Sequence, residues 1–165
     1  MWHVSTQTRV EDAESGVGLD HVRQLLRSYA DEFAESLLLE GYEEELAGLP
    51  GRYARPSGCL LLATLELLPA GCVSMGRLDE DTCEMKRLFV DPGHRGRGVG
   101  RLLVEEVVSR AERAGYRRML LDTVPEMVEA IALYRAQGFV PTDRFWDCPV
   151  ERTIYLEKRL NGWSR

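Results

Sequence analysis

Residues 85–104 of the 165-residue chain read MKRLFVDPGHRGRGVGRLLV, and this stretch decides the fold. A strand-like segment ending at Val90 precedes the alternating glycines Gly96, Gly98 and Gly100, and an apolar helix begins directly after them. Glycine lets the backbone approach a ligand closely, and the first N–H groups of a helix have no acceptor within the helix. The stretch therefore predicts a site at which main-chain amides bind a diphosphate.

The charges and the glycine spacing of this turn narrow its interpretation. Arg95, Arg97 and Arg101 add positive charge in a chain whose net charge is −6. A nucleotide phosphate loop would need GxxxxGK[ST], and a dinucleotide fingerprint would need a glycine where Arg101 stands. Asp122 lies at a spacing suited to a ribose contact, but the strands predicted before the turn do not fit a doubly wound sheet. A glycine-rich helix entry with solvated arginines is a further alternative.

The rest of the sequence predicts the elements around the glycine turn. Apolar residues recur at helical spacing from Leu19 to Leu37, a short helix is predicted over 42–47, and residues 49–58 read as a surface loop. Three strands over 59–66, 71–78 and 82–90 are predicted to form an antiparallel meander. The remaining predicted elements are a strand over 2–10, a helix that ends at Gly115, a strand over 118–122, a helix over 126–137, and a closing strand over 152–157.

These elements predict one α/β domain over residues 1–165, since a chain of this length forms a single core. Its mixed central sheet is antiparallel at first and parallel in the middle, with about four helices on its faces. Strand, helix and strand around the glycine turn imply a right-handed crossover between parallel neighbours.

Two further blocks accompany the turn and carry a resemblance to a known family. Residues 95–100 fit the pattern [RQ]xxGx[GA], and residues 130–139, AIALYRAQGF, fit AxxLYxxxGF one strand downstream. Together with residues 84–90 they resemble the GNAT superfamily of acetyl-CoA-dependent N-acetyltransferases. One departure is Met127, which stands where many relatives carry an asparagine that contacts the pantetheine arm or a water.

The resemblance implies acetyl-CoA as co-substrate, with no metal, and a splay between two parallel strands that receives the pantetheine arm. Main-chain groups of Phe89 and Val90 would bind the arm, and the amides of residues 95–101 would bind the pyrophosphate. The implied cofactor residues are Leu88, Phe89, Val90, Arg95, Gly96, Arg97, Gly98, Val99, Gly100, Arg101 and Tyr134.

The resemblance also implies catalytic roles in direct attack by an amine within a ternary complex. The Val90 N–H would polarise the thioester carbonyl, and Tyr134 would act as general acid toward the departing thiolate. Glu84 is a candidate base because it lies six residues before Val90, which period-two alternation places on the same strand face. Asp122 is a second candidate, acting through water. Tyr134 as a packing residue and Glu84 as a surface carboxylate beside Lys86 are the alternatives.

The acceptor is expected to approach from the side opposite the cofactor. Aromatic and charged residues of the first helix, the loops and the last hairpin are candidate substrate contacts, and an arginine there could bind a carboxylate bidentately. A small primary amine or amino-acid-like acceptor is expected, with a peptide or protein amine as the alternative. A non-catalytic acyl-CoA sensor is the rival outside enzymes. The candidate substrate residues are Tyr29, Arg52, Tyr53, Asp122, Arg144 and Trp146.

Composition excludes several other classes of function. The net charge of −6 argues against a nucleic-acid partner, and no apolar run reaches the length of a membrane span. The four cysteines lack metal-binding spacing and are expected to be reduced and buried, which together with the absence of a signal sequence predicts a cytoplasmic protein. An exposed final strand could pair two chains in a homodimer.

Overall fold

The computed structural model describes residues 7–36 and 38–160, in which seven strands and four α-helices were found. The strands are β1 (Thr8–Asp12), β2 (Cys59–Leu65), β3 (Leu68–Arg77), β4 (Thr82–Val90), β5 (Arg118–Thr123), β6 (Val140–Pro141) and β7 (Ile154–Arg159). The helices are α1 (Gly16–Glu32), α2 (Tyr42–Ala47), α3 (Val99–Arg113) and α4 (Val128–Ala136).

The strands form one sheet in the order β1-β2-β3-β4-β5-β7-β6. Strands β1 to β4 pair antiparallel with their neighbours, and β4 pairs parallel with β5 after the crossover through α3. The predicted α/β domain with an antiparallel meander and a parallel middle is confirmed. The arrangement is not the doubly wound parallel sheet that the dinucleotide alternative would need.

Two apolar layers cover the two faces of the sheet. Helix α3 packs its buried side chains, among them Leu103 and Val107, against one face together with Phe139 after α4. Helices α1 and α2 cover the other face. Val22 and Leu26 of α1 are buried there, and their spacing places them on the same side of the helix. Strands β2 and β3 are therefore buried on both faces, which explains their nearly continuous apolar sequence.

The parallel pair separates after a short contact. Strands β4 and β5 pair at three positions, and the last of these joins Glu84 to Leu120. Strand β4 continues to Val90 and β5 to Thr123 without pairing with each other. The predicted splay between the middle strands is confirmed, and it leaves unpaired backbone on both walls of a gap.

A β-bulge lies in β4 just beyond the point of separation. Lys86 pairs with Ser74 and Phe89 pairs with Cys72, so two residues of β4 stand opposite one residue of β3. Arg87, the first of these two, has a left-handed φ of 61°. A bulge inserts one residue into the period-two alternation, bends the strand and changes which side chains share a face.

Several boundaries differ from the predictions. Helix α1 ends at Glu32, and the predicted apolar position Leu37 lies outside the described residues, as do residues 2–6 of the predicted first strand. The loop over 49–58 was predicted to lie on the surface, yet Leu49 and Tyr53 are buried against the α1 layer. Strand β7 is not an edge strand, because β6 pairs with part of the edge that was expected to join two chains.

Three observations bear on the expectations about cysteines, metal binding and membrane spans that were drawn from the composition. The four cysteines are free and buried, and burial raises the pKa of the Cys59, Cys72 and Cys83 thiols to about 12. Within residues 7–36 and 38–160, His, Cys, Asp and Glu side chains form no group that could hold a metal ion. Over the same residues, the helices lack the combination of length and apolar sequence needed to span a membrane.

The turn between β2 and β3 is tighter than predicted. Residues 67–70 were expected to form the connection, but Glu66 and Leu67 alone form a two-residue turn with φ values of 52° and 70°. Both central residues of such a turn need positive φ, a conformation that Asn and Gly adopt at lower cost. Leu67 is 82% exposed, so no packing offsets this cost.

We predict that the double substitution Glu66→Asn, Leu67→Gly raises the free energy of unfolding by about 1 kcal/mol, because it removes backbone strain. Urea denaturation followed by circular dichroism would measure the change. The control is Leu67→Ala, which shortens the exposed side chain but keeps a Cβ in the left-handed region. Equal stabilisation by Leu67→Ala would contradict the backbone explanation.

Candidate active site

The glycine turn between β4 and α3 forms one wall of a cavity of about 540 Å³. Gly96 and Gly98 have φ values of 79° and 80°, and Gly98 directly precedes the first helical residue of α3, Val99. Side chains rarely adopt this conformation, and nothing lies within 4 Å of where a Cβ of Gly96 would stand. The free amides and the positive dipole end of α3 therefore face open space that suits an anionic ligand.

Gly100 brings α3 close to its neighbours. A Cβ at this position would lie 3.2 Å from the Leu133 side chain of α4 and 3.5 Å from the Val90 side chain of β4. Glycine thus permits the first turn of α3 to fit between β4 and α4, which fixes the amides next to the gap.

The three arginines of the turn are placed differently from one another. Arg95 donates two hydrogen bonds, of 2.8 and 2.7 Å, to the carboxylate of Glu32 at the end of α1, and its Nε donates to the Val90 carbonyl. Arg101 lines the cavity and is 3.9 Å from Glu105, whereas Arg97 does not line it. The charge of Arg95 is thus already paired, which leaves the main-chain amides and Arg101 to face an anion.

The backbone of Val90 faces the gap. Asp91 N donates to Ala70 O, and Phe89 pairs with Cys72, so the intervening pair of Val90 and Gly71 is a non-hydrogen-bonded pair of the antiparallel ladder. The Val90 N–H therefore points away from β3. The Val90 carbonyl also points away from β3 and accepts a hydrogen bond from Arg95 Nε. The same alternation directs the Phe89 backbone groups toward β3, so Val90 rather than Phe89 offers a main-chain donor to the gap, and Phe89 lines the cavity with its ring.

A second cavity, of about 250 Å³, lies on the other side of the splay. Its walls come from β4, β5, the segment after α1, and the loop before β7. We call the first the cofactor-side cavity and the second the acceptor-side cavity. The residues that line both, and so mark where the two cavities meet, are Tyr29, Leu88, Met127 and Ala130.

Two tyrosines and one carboxylate converge at this junction. Tyr134 lines the acceptor-side cavity, where its ring packs edge-on against Phe139 at 5.8 Å, and its environment includes Tyr29 and Asp122. Burial raises the pKa of Tyr29 to about 12 and also raises the pKa of Tyr134. Both hydroxyls therefore keep their protons at neutral pH and can serve as hydrogen-bond donors.

Asp122 and Trp146 line the acceptor-side cavity together. The indole Nε1 of Trp146 donates a 2.7 Å hydrogen bond to Asp122 Oδ2. This bond leaves the second carboxylate oxygen available to a ligand and anchors the loop before β7 to the end of β5. Asp122, Tyr29 and Trp146 are thus the predicted substrate residues that the structure brings to one cavity.

Glu84 lines neither cavity. Its side chain is 8% exposed, and one carboxylate oxygen lies 3.3 Å from Lys86 Nζ and 3.9 Å from Arg52 Nη1. The prediction that Glu84 and Val90 share a face is wrong, because the bulge at Arg87 shifts the alternation between them. Val90 packs on the α3 side with Met85 and Cys83, and Glu84 points to the opposite side.

Three other predicted substrate residues also lie outside the acceptor-side cavity. Arg52 packs against Gly76 and over the Tyr53 ring, and Tyr53 is buried with its hydroxyl donating to Glu45. Arg144 donates to the carbonyls of Trp146 and Cys148 within its own loop. These side chains stabilise the surrounding structure rather than facing a ligand.

Sequence reasoning missed two consecutive cations in the acceptor-side cavity, Lys86 and Arg87. Alternation would send neighbouring strand residues to opposite faces, and nothing in the sequence marks the bulge. Arg87 forms hydrogen bonds of 2.8 and 3.1 Å with Glu45 of α2. Burial would lower the pKa of Arg87, but the hydrogen bonds and charge of Glu45 raise it above its ordinary value.

Comparison with known proteins agrees with this geometry. Residues 22–139 match the family described as the acetyltransferase (GNAT) family. The chain is 34% identical to a protein named as an uncharacterized N-acetyltransferase of Schizosaccharomyces pombe, over 87% of this chain and 89% of that relative. It also spans 45% of human N-acetyltransferase 8, with 34% identity over 59% of this chain.

Solved structures share the fold. An acetyltransferase from Streptococcus agalactiae superposes with a TM-score of 0.79 at 21% identity, covering 93% of this chain and 98% of its own. An acetyltransferase from Salmonella typhimurium, solved with acetyl-CoA, gives a TM-score of 0.72 at 17% identity and covers 96% of both chains. The family match over most of the chain, the S. pombe relative and the splayed sheet lead to one conclusion: the chain belongs to the GNAT family of acetyltransferases.

Proposed function

We propose that this protein transfers an acetyl group from acetyl-CoA to the primary amine of a small, amino-acid-like acceptor, by direct attack within a ternary complex. The observation that carries the proposal is the meeting of two cavities at the splay between β4 and β5. One cavity has the amides for a diphosphate, and the other has polar groups suited to an amine. Both substrates can therefore reach one point from opposite sides of the splay.

The cofactor-side cavity supports acetyl-CoA as the donor. The pyrophosphate would bind to the amides of residues 96–100 at the start of α3, with Arg101 nearby. The pantetheine arm would lie along the unpaired edge of β4, where the Val90 N–H is free to donate to an amide carbonyl or to the thioester carbonyl. Met127, in place of the asparagine of many relatives, lines the junction with an apolar side chain.

The chemistry requires an unprotonated amine, an oxyanion donor and a proton for the leaving thiolate. The amine nitrogen forms a bond to the thioester carbon, and the developing oxyanion accepts a hydrogen bond from a β4 amide such as Val90 N–H. The C–S bond then breaks, and Tyr134, kept protonated by burial, donates to the thiolate. Asp122, directly or through a water, takes the proton that the attacking nitrogen loses. Glu84 is not suited to this role, because it lines neither cavity.

The size of the acceptor-side cavity supports a small acceptor. At about 250 Å³ it falls below the roughly 300–1,000 Å³ of pockets that hold drug-sized ligands. A single amino-acid-sized amine fits this volume better than an extended peptide segment does.

The direct test combines calorimetry with acetyl-CoA and a thiol-release assay on a panel of small amines, amino acids and peptides. We expect acetyl-CoA to bind, and CoA thiol to be released in proportion to added small amine. Binding without release from any acceptor would favour a sensor, and no binding would overturn the proposal.

We predict that Gly98→Asp weakens acetyl-CoA binding at least about tenfold, because a carboxylate would stand beside the phosphates at the start of α3. Gly98 has a left-handed φ, which aspartate adopts at lower cost than most other side chains, so the variant is expected to fold. The matched control is Gly115→Asp at the other end of α3, where φ is 92° and no atom lies within 4 Å of an added Cβ. Equal loss of affinity in both variants, measured by calorimetry, would contradict the phosphate assignment.

We predict that Tyr134→Phe lowers kcat about 100-fold with little change in acetyl-CoA affinity, because it removes the proton donor but keeps the ring that packs on Phe139. Steady-state kinetics and calorimetry measure the two quantities. Tyr29→Phe removes the other buried hydroxyl at the junction and serves as the comparison. If Tyr29→Phe loses turnover while Tyr134→Phe retains it, the proton donor has been assigned to the wrong tyrosine.

A further inference from the structure

The bulge in β4 gives the acceptor-side cavity two adjacent cationic side chains. Lys86 and Arg87 both line it, although consecutive residues of a regular strand point to opposite faces. The left-handed φ of Arg87 and its place in the bulge turn its side chain to the side occupied by Lys86. One wall of the cavity is therefore positive.

Arg87 is held in one orientation by contacts that engage only two of its three guanidinium nitrogens. Its Nε and Nη2 donate to Glu45, and its guanidinium carbon lies 4.9 Å from the centre of the Tyr42 ring. Nη1 donates no hydrogen bond to any described residue, and no fully buried side-chain nitrogen in that part of the chain lacks a partner. Arg87 lines the acceptor-side cavity, so Nη1 can donate a hydrogen bond to a ligand there.

The positive charges of Lys86 and Arg87 are largely compensated by neighbouring side chains. Glu45 faces Arg87, and Glu84 lies between Lys86 and Arg52. Glu40 of the segment after α1 also lines the cavity, and the five side chains named above, three cations and two carboxylates, leave one positive charge at the β4 wall. This charge suits a monoanion such as a carboxylate better than a phosphate dianion.

The opposite wall has the opposite charge. Asp122 on β5 projects one carboxylate oxygen that Trp146 does not occupy, close to Tyr134 at the gap. Between the two charged walls the lining includes the apolar side chains Met85, Leu88 and Val124 among polar ones. The cavity thus has separate places for an anion, a cation and an apolar side chain.

We propose that the acceptor is a free α-amino acid whose carboxylate is bound by Arg87 and Lys86, with its amine directed toward Asp122 and the gap. This inference rests on the proposed acetyl transfer and names its substrate class. Arg87 and Lys86 are then specificity-determining residues. Glu45 acts through Arg87 as a positioning residue, because its bidentate contact fixes the guanidinium group that lines the cavity.

The experiment compares matched triplets of acceptors that differ only at the carboxylate: L-phenylalanine, its amide and 2-phenylethylamine, and the corresponding leucine and methionine compounds. We expect the free acid to exceed its amide and its decarboxylated amine by roughly 10- to 100-fold in kcat/KM, the range of a charged hydrogen-bond contact. Equal rates, or preference for the amide, would overturn the carboxylate assignment while leaving acetyl transfer intact. Acetyl-CoA binding without turnover of any compound would instead refute the proposed function.

Two variants locate the preference in the structure. Lys86→Gln and the double variant Glu45→Gln, Arg87→Gln should each reduce the acid-to-amine ratio toward one, mainly through KM for the acid. The double variant avoids leaving an unpaired buried charge. Arg117→Gln, a surface change beside Asp81, is the control and should retain the wild-type ratio. Because each ratio is measured within one protein, partial loss of folded enzyme does not alter it, and an unchanged ratio in both test variants would refute the assignment.

Discussion

The extra residue that Arg87 adds to β4 is the constraint on which both cavities depend. It bends β4 just where the strand leaves β5, so the pair separates after Glu84 and Leu120. Beyond it, the backbone of Val90 faces the gap rather than another strand. A left-handed φ at a residue other than glycine costs free energy, and the half-buried ion pair with Glu45 helps to hold it in place. The bulge thus links α2, the acceptor side and the cofactor side through one side chain.

The parts of the site that depend on local sequence could be predicted, and those that depend on tertiary contacts could not. The glycine turn, the start of α3 and the element order all follow from short-range backbone requirements. The bulge has no such signal, because neither glycine nor proline marks Arg87. The error about Glu84 follows directly, since counting six residues to Val90 assumes an unbroken period of two. Some of the predicted substrate residues lie outside the acceptor-side cavity for another reason: Tyr53 and Arg144 are polar or charged residues between regular elements, but their partners lie within the protein.

The glycine turn presents more main-chain amides than unpaired side-chain charge. Arg95 is engaged by Glu32 and by the Val90 carbonyl, so it braces the turn against α1 and β4 rather than offering a free cation. Fixed amides at a helix start recognise the shape of a diphosphate as well as its charge. This explains how a chain with a net charge of −6 can present an anion site without a broad basic surface.

The junction of the two cavities has a consequence for how such a protein can diverge. Two short segments contribute lining residues to the acceptor-side cavity and none to the other: Ser36, Leu38 and Glu40 after α1, and Trp146, Cys148, Val150 and Thr153 before β7. Substitutions there can alter the choice of acceptor while the glycine turn and the β4 edge stay as they are. After a gene duplication, each copy could inherit the same donor chemistry and acquire a new metabolic role through two short segments.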